Sequence, residues 1–432
     1  MSARANRIAS SSVAPLTISP SRSAPDSSSS TNSNGGAGTD ALPPRWSVQN
    51  AATVPATIRT RISGRGSRAA QGGVLRCCIA MIAKPLDLTL EVAPKSRFDV
   101  VEMRARFAAE HEALSAYSHC LYWSSHTTAG FLDRSVSARL SAQHVSTYVE
   151  AFRTLFPEGA GYEHDQLDRR ADLDADQRAV EPKNADSHLA FITSGLRPCV
   201  THPNRPGEAV CFVDLDGVVE GRPRRRLTRV IGFRSERVIG KTRIEVPVSE
   251  HPIDSINLKD PRLGIYAALS EFVALTGSGK GQLRIVLDPT ERHSALTVNE
   301  YETLLMKYDL AEVLRNPMRF VAQQYRNVMK DPRSVPAKTL GYAKYDFVRV
   351  MNTGLDTLRL RGSVVEKLLA RTLAVPAARF FRMRRSVSLL VSEREDGSVG
   401  IVEGTYQSPI LVQWQQAPRA SRLLDVTLTE LR

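Results

Sequence analysis

The sequence contains no run of 18 apolar residues, which excludes a transmembrane helix of ordinary length. Its five Cys are odd in number and have no Cys-x-x-Cys spacing. This pattern argues against a disulfide framework or a zinc ribbon, and it favours a reducing compartment. The hydrophobic content of 42% is nevertheless ample for buried cores, so the chain as a whole is not disordered.

Acidic residues are scarce in the first 80 residues, which contain nine Arg but only Asp26 and Asp40. This segment therefore supplies +7 of the total net charge of +13. The remaining 352 residues are only mildly basic, which suits an anionic small substrate as well as nucleic acid. Because the leader supplies more than half of the charge, the high pI is weak support for nucleic-acid binding, and we do not expect a nucleic-acid partner.

Residues 1–80 are rich in Ser, Ala, Arg, Gly and Pro without periodicity, which predicts a disordered leader. Three interpretations remain open: an organellar transit peptide, a plain disordered tail, or an over-extended start with Met81 as the true beginning. We accordingly expect a cytoplasmic protein, or an organellar one if the leader is a transit peptide.

Globular patterning begins near residue 85, and strands alternate with helices in an α+β arrangement. Asp99 is expected to cap a helix, whereas the charged stretch 171–183 is expected to be a loop. Strands are predicted at 86–92, 120–123, 211–215 and 227–233, and helices at 137–155 and 184–192.

The same order of elements returns later in the chain, which predicts a tandem duplication. The expected domains are 85–240 and 241–432, each built from mixed or antiparallel sheets packed with helices. In the second domain we predict strands at 244–248 and 283–287, helices over 261–275 and from 296 to 302 onwards, a hairpin turn at Asp396-Gly397, and a final strand pair at 409–414 and 423–428.

One motif stands at the end of a predicted strand: His126-Thr127-Thr128-Ala129-Gly130. A strand end holds a reactive side chain rigidly. A His in this position can ligate a metal or transfer a proton near neutral pH.

Two further elements follow in order, a Tyr-Glu-His at 162–164 and Asn184-x-x-x-His188, whose ends share a helical face. Together with the motif at 126–130, they resemble the YjbQ-like family of the secondary thiamine-phosphate synthase type. That family's pattern is His-Thr-Thr-Ala-Gly-Leu-Thr-Ile-Asn-Glu, then a His, then Asn-x-x-x-His, then Gly-Thr-Trp-Gln, with an arginine-containing hairpin. The resemblance covers residues 85–235 once and residues 242–432 again.

Each copy departs from the family pattern where the other keeps it. The first copy has Arg134 and Ser135 at the Asn-Glu positions. The second keeps Asn299, Glu300 and a Gly-Thr-Tyr-Gln ending at Gln407, but Glu291 replaces its motif His, and no His follows His293. We infer a composite site made of three His and Asn184 from the first copy, and of Asn299, Glu300 and Gln407 from the second.

The roles expected in this site follow from side-chain chemistry and from the resemblance. His126, His164 and His188 would hold a divalent metal, Zn²⁺ or Mg²⁺, with an open fourth position. His126, Asn184, Glu300 and Gln407 are the predicted catalytic residues, with Glu300 as acid or base. The residues expected to bind substrate or phosphate are Thr127, Thr128, Asn299, Arg222, Arg224 and Arg226.

Plainer interpretations compete at every position. The His residues could be structural or solvated, Asn299 and Glu300 could cap a helix, Gln407 could mark a strand bulge, and the Arg cluster could be a solvated hairpin.

For the whole chain, the resemblance implies an enzyme that joins hydroxymethylpyrimidine diphosphate to a thiazole phosphate, and a homo-oligomer with trimer-like packing of domains. A three-His metal-dependent hydrolase and a non-catalytic binding or structural module are the alternatives.

Overall fold

The computed structural model describes residues 84–323, except 139, 141, 277 and 278, and residues 381–432. The predicted leader, 1–80, lies outside the described residues. The strands in chain order are β1 Leu86–Val92, β2 Asp99–Glu102, β3 His119–Ser124, β4 Ala129–Phe131, β5 Cys199–Pro203, β6 Cys211–Asp214, β7 Val218–Val219, β8 Arg222–Pro223, β9 Arg226–Phe233, β10 Glu236–Pro247, β11 Asp254–Asn257, β12 Lys280–Leu287, β13 Ser294–Asn299, β14 Ser386–Glu393, β15 Val399–Val402, β16 Ser408–Gln413 and β17 Ser421–Leu431.

Helices connect these strands and are mostly short. The α-helices are α1 Met103–Glu110, α2 Arg134–Ser137, α3 Ala142–Arg153, α4 Ala175–Val180, α5 Ala185–Ser194, α6 Ile265–Thr276 and α7 Leu310–Arg315. Single 3₁₀ turns span Glu112–Ala116, Leu167–Arg169 and Pro261–Leu263, and a π-helical turn, Leu304–Asp309, leads into α7. None of the described helices is both long enough and apolar enough to cross a membrane.

In the first half of the described chain, β1 to β9, two antiparallel sheets enclose a core, and β7 and β8 pair as a separate two-stranded ribbon. The strand orders of the two sheets are β1-β9-β3-β5 and β2-β6-β4. Alternating side chains such as Leu90 and Val92 point inward to meet Tyr122 and Phe212, and α1 adds Phe107. The alternation in the sequence is therefore the pattern of a sheet with one buried face.

The second half, β10 to β17, repeats this order. Its sheets have the strand orders β10-β17-β12-β14-β15 and β11-β16-β13. Counted along each half, the larger sheet places the first, last, third and fifth strands side by side in both halves, and β15 is added at one edge of the second. Their core contains Leu283, Ile285 and Leu287 of β12 packed against α6. The α+β class with antiparallel sheets is thus confirmed, whereas the domain boundary at 240 stays a prediction.

Two apolar clusters join the halves. One contains helices α3 and α5 of the first half together with Leu305 and Ile410 of the second. The other packs Trp123 and Phe233 of the four-stranded sheet against Leu390 and Leu431 of the five-stranded sheet. Residues from both halves can therefore meet at one site within a single chain.

Several local predictions were wrong. Residues 296–299 belong to strand β13, and the helical turn begins only at Leu304. Asp99 lies in β2, and Glu102 caps α1 instead. The stretch 171–183 contains α4, which begins with a capping box at Asp174. The last two strands are not paired with each other, because β16 pairs with β11 and β13 while β17 pairs with β10 and β12.

Candidate functional site

The loop that carries the His motif joins β3 to β4 and is held by the second half of the chain. The Gln407 side-chain amide donates to the carbonyl oxygens of Ser124, at 2.9 Å, and His126, at 2.8 Å, while its oxygen accepts from the Gly404 N–H. A Cβ on Gly404 would lie 1.8 Å from the Ser125 carbonyl oxygen, so only glycine fits there. The predicted catalytic Gln407 therefore lies against the His motif, and its contacts position the loop backbone.

His126 is a neutral imidazole in this structure. Its Nε2 accepts the backbone N–H of Leu227 at 2.9 Å, so the ring proton resides on Nδ1. Burial, together with the positive charges of Arg226 and Arg224, lowers the pKa of His126 to about 3.

His188, on α5, is linked to the motif through Asn299 of β13. The His188 Nδ1 donates to Asn299 Oδ1 at 2.8 Å, and Asn299 Nδ2 donates to the Thr127 carbonyl oxygen at 2.7 Å. The second contact fixes which end of the amide faces the imidazole. Asn299 is fully buried and does not cap a helix. Residues predicted from different copies thus form one hydrogen-bonded chain.

Glu300 faces the remaining nitrogen of the same imidazole. Its Oε2 lies 3.7 Å from His188 Nε2. Burial raises the pKa of Glu300, although the charges of His164 and Arg170 oppose the shift. Burial lowers the pKa of His188 to about 3, so this imidazole is neutral and Nε2 presents a lone pair. A carboxyl with a raised pKa and a neutral imidazole that can accept a proton therefore lie side by side.

His164 is completely buried and is not the solvated loop residue of the plainer interpretation. Its Nδ1 donates to Glu302 Oε2 at 3.1 Å, and its Nε2 lies 3.4 Å from Asn184 Oδ1. Burial alone would lower its pKa, but the bond to Glu302 and the charge of Glu300 outweigh burial and raise it. His164 is therefore suited to be an imidazolium, and its ring centre is 5.3 Å from that of His188.

Arg170 is a member of the site that the sequence did not indicate. Its guanidinium is 1% exposed and contacts Glu300 at 3.1 Å, Asp172 at 2.7 Å and Glu181 at 3.6 Å. It also approaches Glu302 at 3.8 Å. Nothing in the charged stretch around Arg170 distinguishes it from its solvated neighbours, so no sequence signal could have identified it.

The three arginines of the predicted hairpin differ in their exposure to solvent. Arg226 is buried and donates to both oxygens of Asp214, at 2.7 and 2.8 Å, which leaves it unavailable to a phosphate. Arg222 is exposed on β8. Arg224 is 36% exposed and pairs with Asp216, which accepts from Asn184 Nδ2 at 2.7 Å. Of the three predicted phosphate ligands, Arg224 is therefore the partly exposed cation beside the imidazoles.

The three imidazoles predicted to bind a metal have protein partners in this arrangement. The Nε2 of His126 is used by a backbone N–H, and His164 faces Arg170 Nη1 at 3.1 Å. In the part of the chain that the structure describes, no group of three or more His, Cys, Asp or Glu is placed to hold a metal ion. The metal stays a prediction.

The second half contains an equivalent of the His126 position, occupied by Glu291. Glu291 Oε1 accepts the backbone N–H of Leu423 at 3.0 Å, as His126 accepts that of Leu227. Its other oxygen pairs at 2.9 Å with Arg422, the second residue of β17, and Arg226 is the first residue of β9. Glu291 therefore accepts from the backbone of β17 as His126 accepts from the backbone of β9.

Comparisons with known proteins yield structures only, because no family model and no curated protein matches the sequence. A YbjQ-like protein of unknown function from Sulfolobus solfataricus P2 is 17% identical with a TM-score of 0.25, over 45% of this chain and 99% of that one. A hypothetical protein from Aeropyrum pernix K1 is 19% identical with a TM-score of 0.24, over 35% and 99%. An uncharacterized conserved protein of the yjbq/upf0047 family from Clostridium acetobutylicum is 11% identical with a TM-score of 0.20, over 43% and 98%.

Proposed function

We propose that this chain is a YjbQ-like enzyme in which two fused copies build one composite site for a phosphorylated small molecule. The observation that carries the proposal is the chain of contacts from His188 through Asn299 to Thr127, which joins residues that each copy has retained separately. The motif at 126–130 and the strand order shared by the halves support the same conclusion. A structural role alone does not require a protonatable carboxyl beside a neutral imidazole in a buried site.

The chemistry that this geometry favours is proton transfer. Glu300, with its raised pKa, would donate a proton to a departing or rearranging oxygen, and His188 Nε2 would accept one. The Asn299 amide holds the imidazole in the Nδ1–H tautomer, and Arg170 holds the carboxylate oriented toward it. Arg224 would bind a phosphate oxygen at the exposed side of the site.

The reaction to test first is the one that the family resemblance implies. Purified protein would be supplied with hydroxymethylpyrimidine diphosphate and a thiazole phosphate, and both thiamine phosphate and pyrophosphate would be quantified. We expect Glu300→Gln, which preserves shape but not the titratable proton, to lower the rate by about 100-fold or more.

Glu181→Gln is the matched control. Glu181 also contacts Arg170, but its substitution leaves the Glu300–His188 pair intact. A wild-type rate in Glu300→Gln would refute the acid-base role. A wild-type protein inactive on this pair and on a panel of phosphorylated small molecules would refute the enzymatic proposal.

A further inference from the structure

A second charged cluster lies between the halves and contains none of the three imidazoles. Arg197 follows α5, and Arg384 precedes β14; their backbones make equivalent bridges to Phe131 and Leu296. Both guanidiniums approach the same oxygen of Asp133, Arg384 at 3.3 Å and Arg197 at 3.6 Å. One carboxylate therefore faces two cations, and the cluster has an excess positive charge.

The donors of this cluster are incompletely used. Arg197 Nε and both Nε and Nη2 of Arg384 are buried without a hydrogen-bond partner among the described residues. The contacts from Arg197 to Ser386 Oγ are 3.5 Å long. By contrast, the guanidinium of Arg226 donates hydrogen bonds of 2.7 and 2.8 Å to the two carboxylate oxygens of Asp214. Buried N–H groups of a cation that lack acceptors are costly, so an acceptor is expected here.

The room for such an acceptor is a cavity of about 10 Å³. Both arginines line it, together with the hydroxyl-bearing Ser386 and Ser388 and apolar side chains of β13 and α5. Its volume corresponds to roughly one water molecule, so a small acceptor suits it. Burial and the charge of Arg384 lower the pKa of Arg197 to about 10, although Asp133 opposes the shift.

We propose that this cavity binds one small monovalent anion of chloride size, held by Arg197 and Arg384 at the junction of the two halves. A water molecule would satisfy some of the N–H groups but would leave the surplus charge uncompensated. A halide satisfies both requirements, because it accepts from several donors and balances the second cation. The anion would bind Arg197 of the first half and Arg384 of the second, and so stabilise their contact electrostatically.

The direct test is crystallographic. Crystals of the full chain grown with sodium bromide in place of chloride would be measured at the bromine absorption edge. We expect one anomalous peak in contact with both guanidiniums. A water-sized density there without an anomalous peak would overturn the proposal.

The solution test measures unfolding midpoints of the full chain against sodium chloride concentration at constant ionic strength. Arg384→Gln should abolish the saturable chloride-dependent rise, whereas Arg419→Gln, at an exposed position, should retain it. Asp133→Asn removes the competing carboxylate, so the chloride concentration at half-saturation should fall by at least about tenfold. A rise of equal size in wild type and Arg384→Gln would refute the site.

Discussion

Replacing Gln407 by Met tests whether the second half holds the His126 loop in place. Methionine has nearly the length and volume of glutamine but provides no amide. The substitution removes the two bonds to the carbonyls of Ser124 and His126, and the acceptor of the Gly404 N–H. Gln407 is 2% exposed, so water cannot readily replace the lost partners.

The expected magnitude follows from these three bonds. Each typical hydrogen bond contributes about 1 kcal/mol net, and a buried group left without a partner costs about 1–3 kcal/mol. Partial relaxation and the apolar gain of the thioether reduce the sum. We therefore expect the free energy of unfolding to fall by about 3–5 kcal/mol.

The measurement is urea unfolding of wild type, Gln407→Met and Gln416→Met, followed by circular dichroism. Gln416 is exposed, so its substitution reports the effect of the side-chain change alone. If the two variants differ by less than about 1 kcal/mol, the contacts of Gln407 do not hold the loop and the reasoning fails.

Three further predictions concern packing and charge. Gly404→Ala should destabilise the protein by more than about 3 kcal/mol in chemical unfolding, because its Cβ meets the backbone of Ser125. Arg226→Lys should cost about 2–4 kcal/mol in the same assay, since lysine cannot donate to both oxygens of Asp214. Burial raises the pKa of Asp186 to about 7, so from about pH 4 to 7 the unfolded chain releases a proton that the folded protein keeps. Stability should therefore fall as pH rises through this window, and Asp186→Asn should flatten that slope in unfolding titrations at pH 5 and 7.5.

Burial on one face or on both explains why strand β12 was predicted and strand β13 was not. Strand β12 alternates between core and periphery, and its pattern at 283–287 located it. All six residues of β13 are buried, because further elements cover its second face. No two-residue alternation survives there, so 296–302 resembled the start of a helix.

The candidate site was predictable where it rests on local spacing. Asn184 and His188 share one face of α5, and the motif at 126–130 follows a strand. Arg170 and Glu302 were missed, since their importance arises from contacts between residues more than 100 positions apart. The burial of His164 has the same long-range origin, which sequence patterns do not report.

The Glu291–Arg422 pair has a consequence for ligand saturation. Two equivalent pockets within one polypeptide could influence each other's occupancy. Here Glu291, which contacts Leu423 as His126 contacts Leu227, is held in an internal ion pair, so the proposed enzyme would bind one ligand per chain. Its titration curve should then be hyperbolic with a stoichiometry of one, and any sigmoidal character would have to originate between separate polypeptides.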